Sequence, residues 1–202
     1  MITVGVIGSG PVGRGLATLL DNAGYGVTLG TRHPDAKRLV GLTPRIRVAE
    51  FSETARADIV VLSVVHNASE AVANQIRELV AGKLVIDTDN AWIPAHYAAA
   101  GLHPGLTEGT WMARILPNST VARAFSHIDW DLLVPYATGG WAAGYAIDGD
   151  AALLTRLVED IGYVPVRVGS LAESGSVDPG GRFWSRMLTA DAMRAELTSV
   201  TH

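Results

Sequence analysis

The stretch Ile2-Thr3-Val4-Gly5-Val6-Ile7-Gly8-Ser9-Gly10-Pro11-Val12-Gly13 decides the fold. An apolar run of strand character passes directly into G-x-G-x-x-G, and a helical pattern follows. Val12, Leu16, Leu19, Leu20 and Ala23 recur at helical period and predict one buried face. Pro11 suits the first helical turn, and Gly24 suits its end. In such a strand–loop–helix unit Gly8 permits a tight turn. Gly10 lets a pyrophosphate approach the backbone, and Gly13 lets helix and strand pack closely. The unpaired N–H groups and dipole at the helix start attract phosphate. A Gly-rich turn alone is common, and the strand, helix and second strand around this one make the reading specific.

The next apolar run, Val27-Thr28-Leu29, ends in Gly30-Thr31-Arg32-His33. An NAD site carries Asp or Glu in this neighbourhood to hold the ribose 2′-hydroxyl, and none is present. Arg32 instead offers a planar cationic fork suited to a 2′-phosphate. Thr31 offers a hydroxyl, and Lys37 or Arg38 could approach one helical turn later. The plainer alternative is that Arg32 solvates a loop while Lys37 and Arg38 lie on an exposed helix face. The pattern predicts NADP(H) over NAD(H).

Short apolar runs alternate with helical patterns, as in βαβ units building a parallel sheet. Strands are predicted near 2–7, 27–30, 46–48, 58–64, 84–87 and 121–125. The run Asp58-Ile59-Val60-Val61-Leu62-Ser63-Val64 is nearly continuous in apolar residues, as a strand covered on both faces requires. Asn67 and Glu70 have capping-box spacing, with Val72, Ile76, Leu79 and Val80 as the buried stripe and Gly82 after it. The expected fold is a doubly wound α/β sheet of the Rossmann type, order 3-2-1-4-5-6, over residues 1–128. Ligands then bind beyond the strands' carboxyl ends, where the order reverses.

Residues 129–202 predict a small α/β cap on the same sheet, with a dimer contact. Trp130 to Gly149 shows no clean helix. A helix from Asp150 carries Leu153, Leu157, Val158 and Ile161 and stops at Gly162, and Val164 to Val168 reads as a strand. The Gly/Ser/Pro-rich segment 169–181 leads to a last helix from about Phe183.

At 202 residues, 48% hydrophobic and 18% charged, the chain suits one globular domain or one with a small appendage. A net charge of −4 without a basic block argues against nucleic acid and acidic membrane surfaces as partners. With no cysteine, disulfides and thiolate chemistry are excluded. The start has no basic segment followed by a long apolar one, and no run approaches 18 apolar residues, so the expected compartment is the cytoplasm.

The histidines His33, His66, His96, His103, His127 and His202 show no metal-ligand spacing, and no metal is expected. His66 and His127 follow predicted strands at the carboxyl edge. His127 could exchange a substrate proton, or be a loop histidine bound to backbone or water. Asp87, Asp89 and Asn90 end the fifth strand, where Asn90 could bind the cofactor or cap the turn. Trp92, Trp111, Trp130, Trp141 and Trp184 are candidates for ring stacking or packing. Arg182-Phe183-Trp184 could close over an anionic substrate.

With these residues in place, the chain resembles the NADP oxidoreductases dependent on the deazaflavin coenzyme F-420. The matching stretches are Val6–Gly13, Leu29–Arg32, Asp58–Val64, Leu84–Asp87, Val121–Phe125 and Asp160–Tyr163. The resemblance implies a small dimeric enzyme passing hydride between NADP(H) and a deazaflavin. It implies that Gly8, Ser9, Gly10, Pro11, Val12 and Gly13 hold the pyrophosphate, and that Thr31 and Arg32 hold the 2′-phosphate. Ser63, Val64 and Val65, with His66 beside them, would border the ribose and nicotinamide. Ala124 to His127 and the C-terminal loop would border the deazaflavin. The chain departs from the family pattern at Val64-Val65, where Val-Pro is common, and at Gly175 to Trp184, where an acidic, leucine-rich helix start is common.

Two other functions fit the same residues. One is an NADPH-dependent reductase of a flavin, an imine or a small carbonyl compound. Against the commonest carbonyl chemistry, no tyrosine is followed four residues later by a lysine, Lys37 and Lys83 being the only lysines. The other is a non-catalytic NADP(H) sensor.

Overall fold

A computed structural model describes residues 1–34, 41–90 and 105–199. One sheet of eight strands runs through it: β1 Thr3–Ile7, β2 Gly26–Gly30, β3 Arg47–Ala49, β4 Ile59–Leu62, β5 Leu84–Asp87, β6 Thr120–Ala124, β7 Ala142–Ile147 and β8 Val164–Gly169. Their order is β3-β2-β1-β4-β5-β6-β7-β8. The six strands expected from the sequence are parallel, in the expected order. β7 then pairs antiparallel with β6, and β8 parallel with β7. The last third therefore extends the sheet itself by two strands.

The alternation of side chains along each strand builds two core layers. Val4, Val6, Ile59, Val61 and Ile86 face α1 (Pro11–Asn22), where Leu16, Leu19 and Leu20 meet them. Ile7, Val60, Leu62 and Val85 face the other side, against α2 (Phe51–Thr54), α3 (His66–Ile76) and α4 (Glu108–Ile115). A third cluster joins β7 and β8 to Phe183 and to Met193 of α6 (Ala190–Thr198). Leu154, Leu157 and Val158 bury α5 (Ala152–Asp160) against the first layer.

Three local expectations need correction. α3 starts at His66 with Val65 as its N-cap, so Asn67 already lies within the first turn and the Asn67–Glu70 capping box does not form. In α5 the buried position is Leu154, while Leu153 is 40% exposed. The last helix begins at Ala190, capped by the Thr189 side chain, and Phe183 is a core residue of the preceding turns. Among the described residues no helix is long and apolar enough to cross a membrane.

Candidate functional site

Parallel register brings the ends of β2, β1, β4 and β5 to one edge. Gly8 N donates to Gly30 O at 2.9 Å, Ser63 N to Ile7 O at 2.8 Å, and Thr88 N to Leu62 O at 3.0 Å. Gly8 thus sits between the second and fourth strands, at the reversal of strand order. Its φ is +121°, and a Cβ there would lie 1.8 Å from Ser63 O. A Cβ on Gly13 would lie 1.9 Å from Gly8 O. Gly8 and Gly13 are therefore required by packing alone. Gly10 differs: nothing lies within 4 Å of its Cβ position. Neither packing nor a left-handed backbone demands glycine there, and bare backbone faces open space. The α1 N-terminus beside it has no side-chain cap and no acidic residue in its first turn. This cradle fits a pyrophosphate.

At the end of β2, Thr31 is buried. Its hydroxyl lies 3.2 Å from Ser9 Oγ, which donates to it, and its N–H donates to Ala49 O at 2.9 Å. Thr31 thereby joins the glycine loop to the second strand. Arg32 is exposed and forms no ion pair among the described residues. Lys37 and Arg38 lie outside the described residues. Beyond β4, Ser63 and Val64 are half-buried, while Val65 is 69% exposed, an apolar side chain standing free at the carboxyl edge.

A second group of residues meets at the ends of β4, β5 and β6. Arg123 of β6 is fully buried. Its Nε donates to Asp178 Oδ1 at 2.7 Å, one terminal nitrogen to Asp87 Oδ2 at 3.2 Å, and the other to Asn90 Oδ1 at 3.1 Å. Asn90 in turn donates to Ser126 O at 2.8 Å. The amide expected to bind the cofactor is thus engaged within the protein. Asp178 also receives the Glu108 N–H at the start of α4, at 3.3 Å, so Arg123 ties the C-terminal loop to the sheet. Burial raises the Asp87 carboxyl above the usual range, with Arg123 opposing. Burial works against charging Arg123, but Asp178 and Asp87 hold it protonated.

Beside this network lie His66, Asp89 and Glu108, from the start of α3, the end of β5 and the start of α4. His66 Nδ1 is 3.3 Å from Asp89 Oδ2 and 3.6 Å from Glu108 Oε2. The two carboxylates are almost fully buried, and among the described residues none of their four oxygens has a hydrogen-bond partner. Asp89 above all raises the His66 pKa, against desolvation, while burial raises that of Glu108. Trp111, one turn along α4, packs its ring 5.5 Å from the imidazole. These residue types could hold a metal. Histidine spacing gave no hint of it, because the three groups come from three elements.

His127 takes the second of its two expected roles, a histidine bound to backbone, and not that of a proton-exchanging group. It is 1% exposed, and its Nε2 accepts the Gly144 N–H at 2.8 Å. Burial lowers its pKa to about 4, so it is a neutral acceptor that fastens β7, too buried to exchange a proton with a substrate at the carboxyl edge. Arg182 pairs with Glu196 at 3.5 Å and donates to Ser199, which occupies the charge expected to meet an anionic substrate. Trp111 is buried and Trp130 is 62% exposed, and Trp92 lies outside the described residues. Sequence reasoning missed Arg123, Glu108 and Asp178 as site residues. The available signal was an arginine inside the apolar run Val121–Phe125, which demands a buried counter-charge.

Comparison with known proteins agrees with this geometry. The family described as NADP oxidoreductase, coenzyme F420-dependent, matches residues 3–91. Metalloreductase STEAP3 of Rattus norvegicus is 29% identical over 182 residues, covering 87% of this chain and 35% of the relative. The chain thus spans about a third of the length of the curated relatives it matches. A hypothetical protein of Sinorhizobium meliloti, SMa0349, superposes with a TM-score of 0.81 at 21% identity, over 94% of this chain and 96% of that one. A protein of Arthrobacter sp. FB24, provisionally described as an F420-dependent NADP-reductase, gives 0.72 at 24% identity, over 85% and 86%. These two likenesses show the fold. The match agrees with the resemblance read from the motifs: residues 3–91 are similar to the family described as NADP oxidoreductase, coenzyme F420-dependent.

Proposed function

We propose that this chain is an NADP(H)-dependent oxidoreductase that exchanges hydride with a deazaflavin coenzyme. Arg32 is the observation that carries the nucleotide half. It is an exposed guanidinium without an ion pair among the described residues, at the end of β2, where an NAD site would present a carboxylate. The match over residues 3–91 supports the coenzyme half, and the names of the rat metalloreductase and the Arthrobacter protein agree with a reductase.

The bound dinucleotide would supply or accept the hydride. The protein's part is binding and position. Gly8 and Gly13 hold the turn that leaves the Gly10 backbone open to the pyrophosphate. Arg32 provides charge for the 2′-phosphate, and Ser9 and Thr31 keep that arginine's segment against the loop. Val65 offers an apolar surface at the carboxyl edge, and Ser63 fixes it by bonding to β1. Such sites need little side-chain acid–base chemistry, because cofactor and acceptor carry the reactivity. A neutral, buried His127 agrees with that.

The test is NADPH oxidation followed with a deazaflavin, a flavin, an imine, a carbonyl compound and no acceptor. Turnover with the deazaflavin alone is expected. Turnover only with another acceptor would replace the deazaflavin, and tight NADPH binding without any turnover would make the protein a sensor.

A further inference from the structure

We propose that His66, Asp89 and Glu108 form a binding site for one divalent first-row transition metal ion. This inference does not rest on the nucleotide reading, and either can fail alone.

Arg123 is the buried arginine of this region, and Asp178 and Asp87 take two of its donors. Asp89 and Glu108 are left as two further buried carboxylates, each about 2% exposed, with no hydrogen bond to any of their oxygens among the described residues. Such burial is costly unless a counter-charge or a set of donors satisfies the group. His66 Nδ1 lies near both carboxylates, and among the described residues it too has no hydrogen bond of acceptable alignment. Three orphaned groups converging on one point indicate a shared partner.

The spacing fits an ion better than direct contact. Nδ1 stands 3.3 Å and 3.6 Å from the two carboxylate oxygens, long for a charge-assisted hydrogen bond. Two ligands each about 2.0–2.1 Å from one ion at a tetrahedral angle lie about 3.3 Å apart. The ligand atoms of all three residues lie within 4.8 Å of one another. A divalent ion would also cancel the two carboxylate charges, with a neutral imidazole as third ligand. An imidazole among the ligands favours later first-row ions such as Zn²⁺, Co²⁺ or Fe²⁺ over Mg²⁺ and Ca²⁺, which prefer oxygen alone.

The fold has built the site from rigid pieces. His66 opens α3, Asp89 follows β5, and Glu108 opens α4, whose first turn is clamped by Asp178 and Ser174. The ion would join the ends of β4 and β5 to the helix that follows them in sequence. This lies on the same sheet edge as Val65.

The experiment uses the tag-free full chain after chelator treatment and dialysis. Co²⁺ is titrated in and followed by visible absorption, with Zn²⁺ as competitor. Trp111 against His66 gives a second readout in fluorescence. One equivalent of Co²⁺ is expected, displaced by Zn²⁺. Glu108→Gln and Asp89→Asn are expected to weaken binding by more than the ~10–100-fold that loss of a mere supporting partner costs. Far-UV circular dichroism and NADPH affinity of the variants should be unchanged. Wild-type crystals soaked in Zn²⁺ should show anomalous density between the three side chains, a result independent of variant folding. Absence of stoichiometric binding, binding unaltered in folded variants, or density elsewhere would each overturn the site.

Discussion

The two ends of the sheet's carboxyl edge solve opposite problems. At β1 and β2 the functional surface is bare backbone and one exposed arginine. At β4, β5 and β6 it is a buried set of charges drawn from residues far apart in sequence. The first kind of site is local. Gly8, Gly10 and Gly13 lie within six residues, and each has a separate steric reason to be glycine or to be left open. The second kind exists only when the chain is folded, since Arg123 meets Asp178 across 55 positions. A local site can lose its ligand and keep its fold. An assembled one cannot lose a charge without disturbing its neighbours.

Replacing Gly8 and Gly10 separately breaks this comparison most sharply. Gly8→Ala puts a Cβ 1.8 Å from Ser63 O at a φ of +121°, and is expected to cost about 4 kcal/mol or more in chemical denaturation. Gly10→Ala meets no atom within 4 Å and should leave stability within about 0.5 kcal/mol while weakening NADPH binding. Equal stability losses at both positions would erase the distinction between packing glycine and binding glycine.

Arg123→Leu comes next. It leaves Asp87 and Asp178 without their buried counter-charge, and is expected to cost about 3–5 kcal/mol by urea unfolding. A loss below about 1 kcal/mol would mean that the network relaxes freely into water.

His127 gives a pH signature. Its folded pKa, about 4, lies below the ordinary histidine value of 6.5, so between these values the unfolded chain binds the extra proton. Stability therefore rises with pH across this window and is lost as pH falls from 6.5 towards 4. The histidine's share is of the order of 3 kcal/mol. His127→Gln, whose amide oxygen can still accept from Gly144, should flatten that part of the profile. An unchanged slope would show that another group titrates there.

The sequence legibility follows the same division. The six parallel strands and the glycine loop were readable because period, apolar run and turn residues agree over short windows. β7 was not, because Ala142-Ala143-Gly144-Tyr145-Ala146-Ile147 is poor in β-branched residues. It is a strand because β6 and β8 pair with it on both sides and every side chain is buried. Asn90 looked like a ligand because it ends β5, but its partners Arg123 and Ser126 come from another strand and its loop. Glu108 gave no local signal, since what sets it apart is meeting His66 and Asp89 from separate elements.

The most direct test of the nucleotide reading is the affinity of wild type and Arg32→Ala for NADPH and NADH, measured by calorimetry at one ionic strength. The arginine's charged contact is expected to contribute about 1.5–3 kcal/mol to NADPH binding alone. The variant should bind NADPH roughly tenfold to a hundredfold more weakly and NADH unchanged. Wild-type preference for NADH, or equal losses for both nucleotides, would contradict the account.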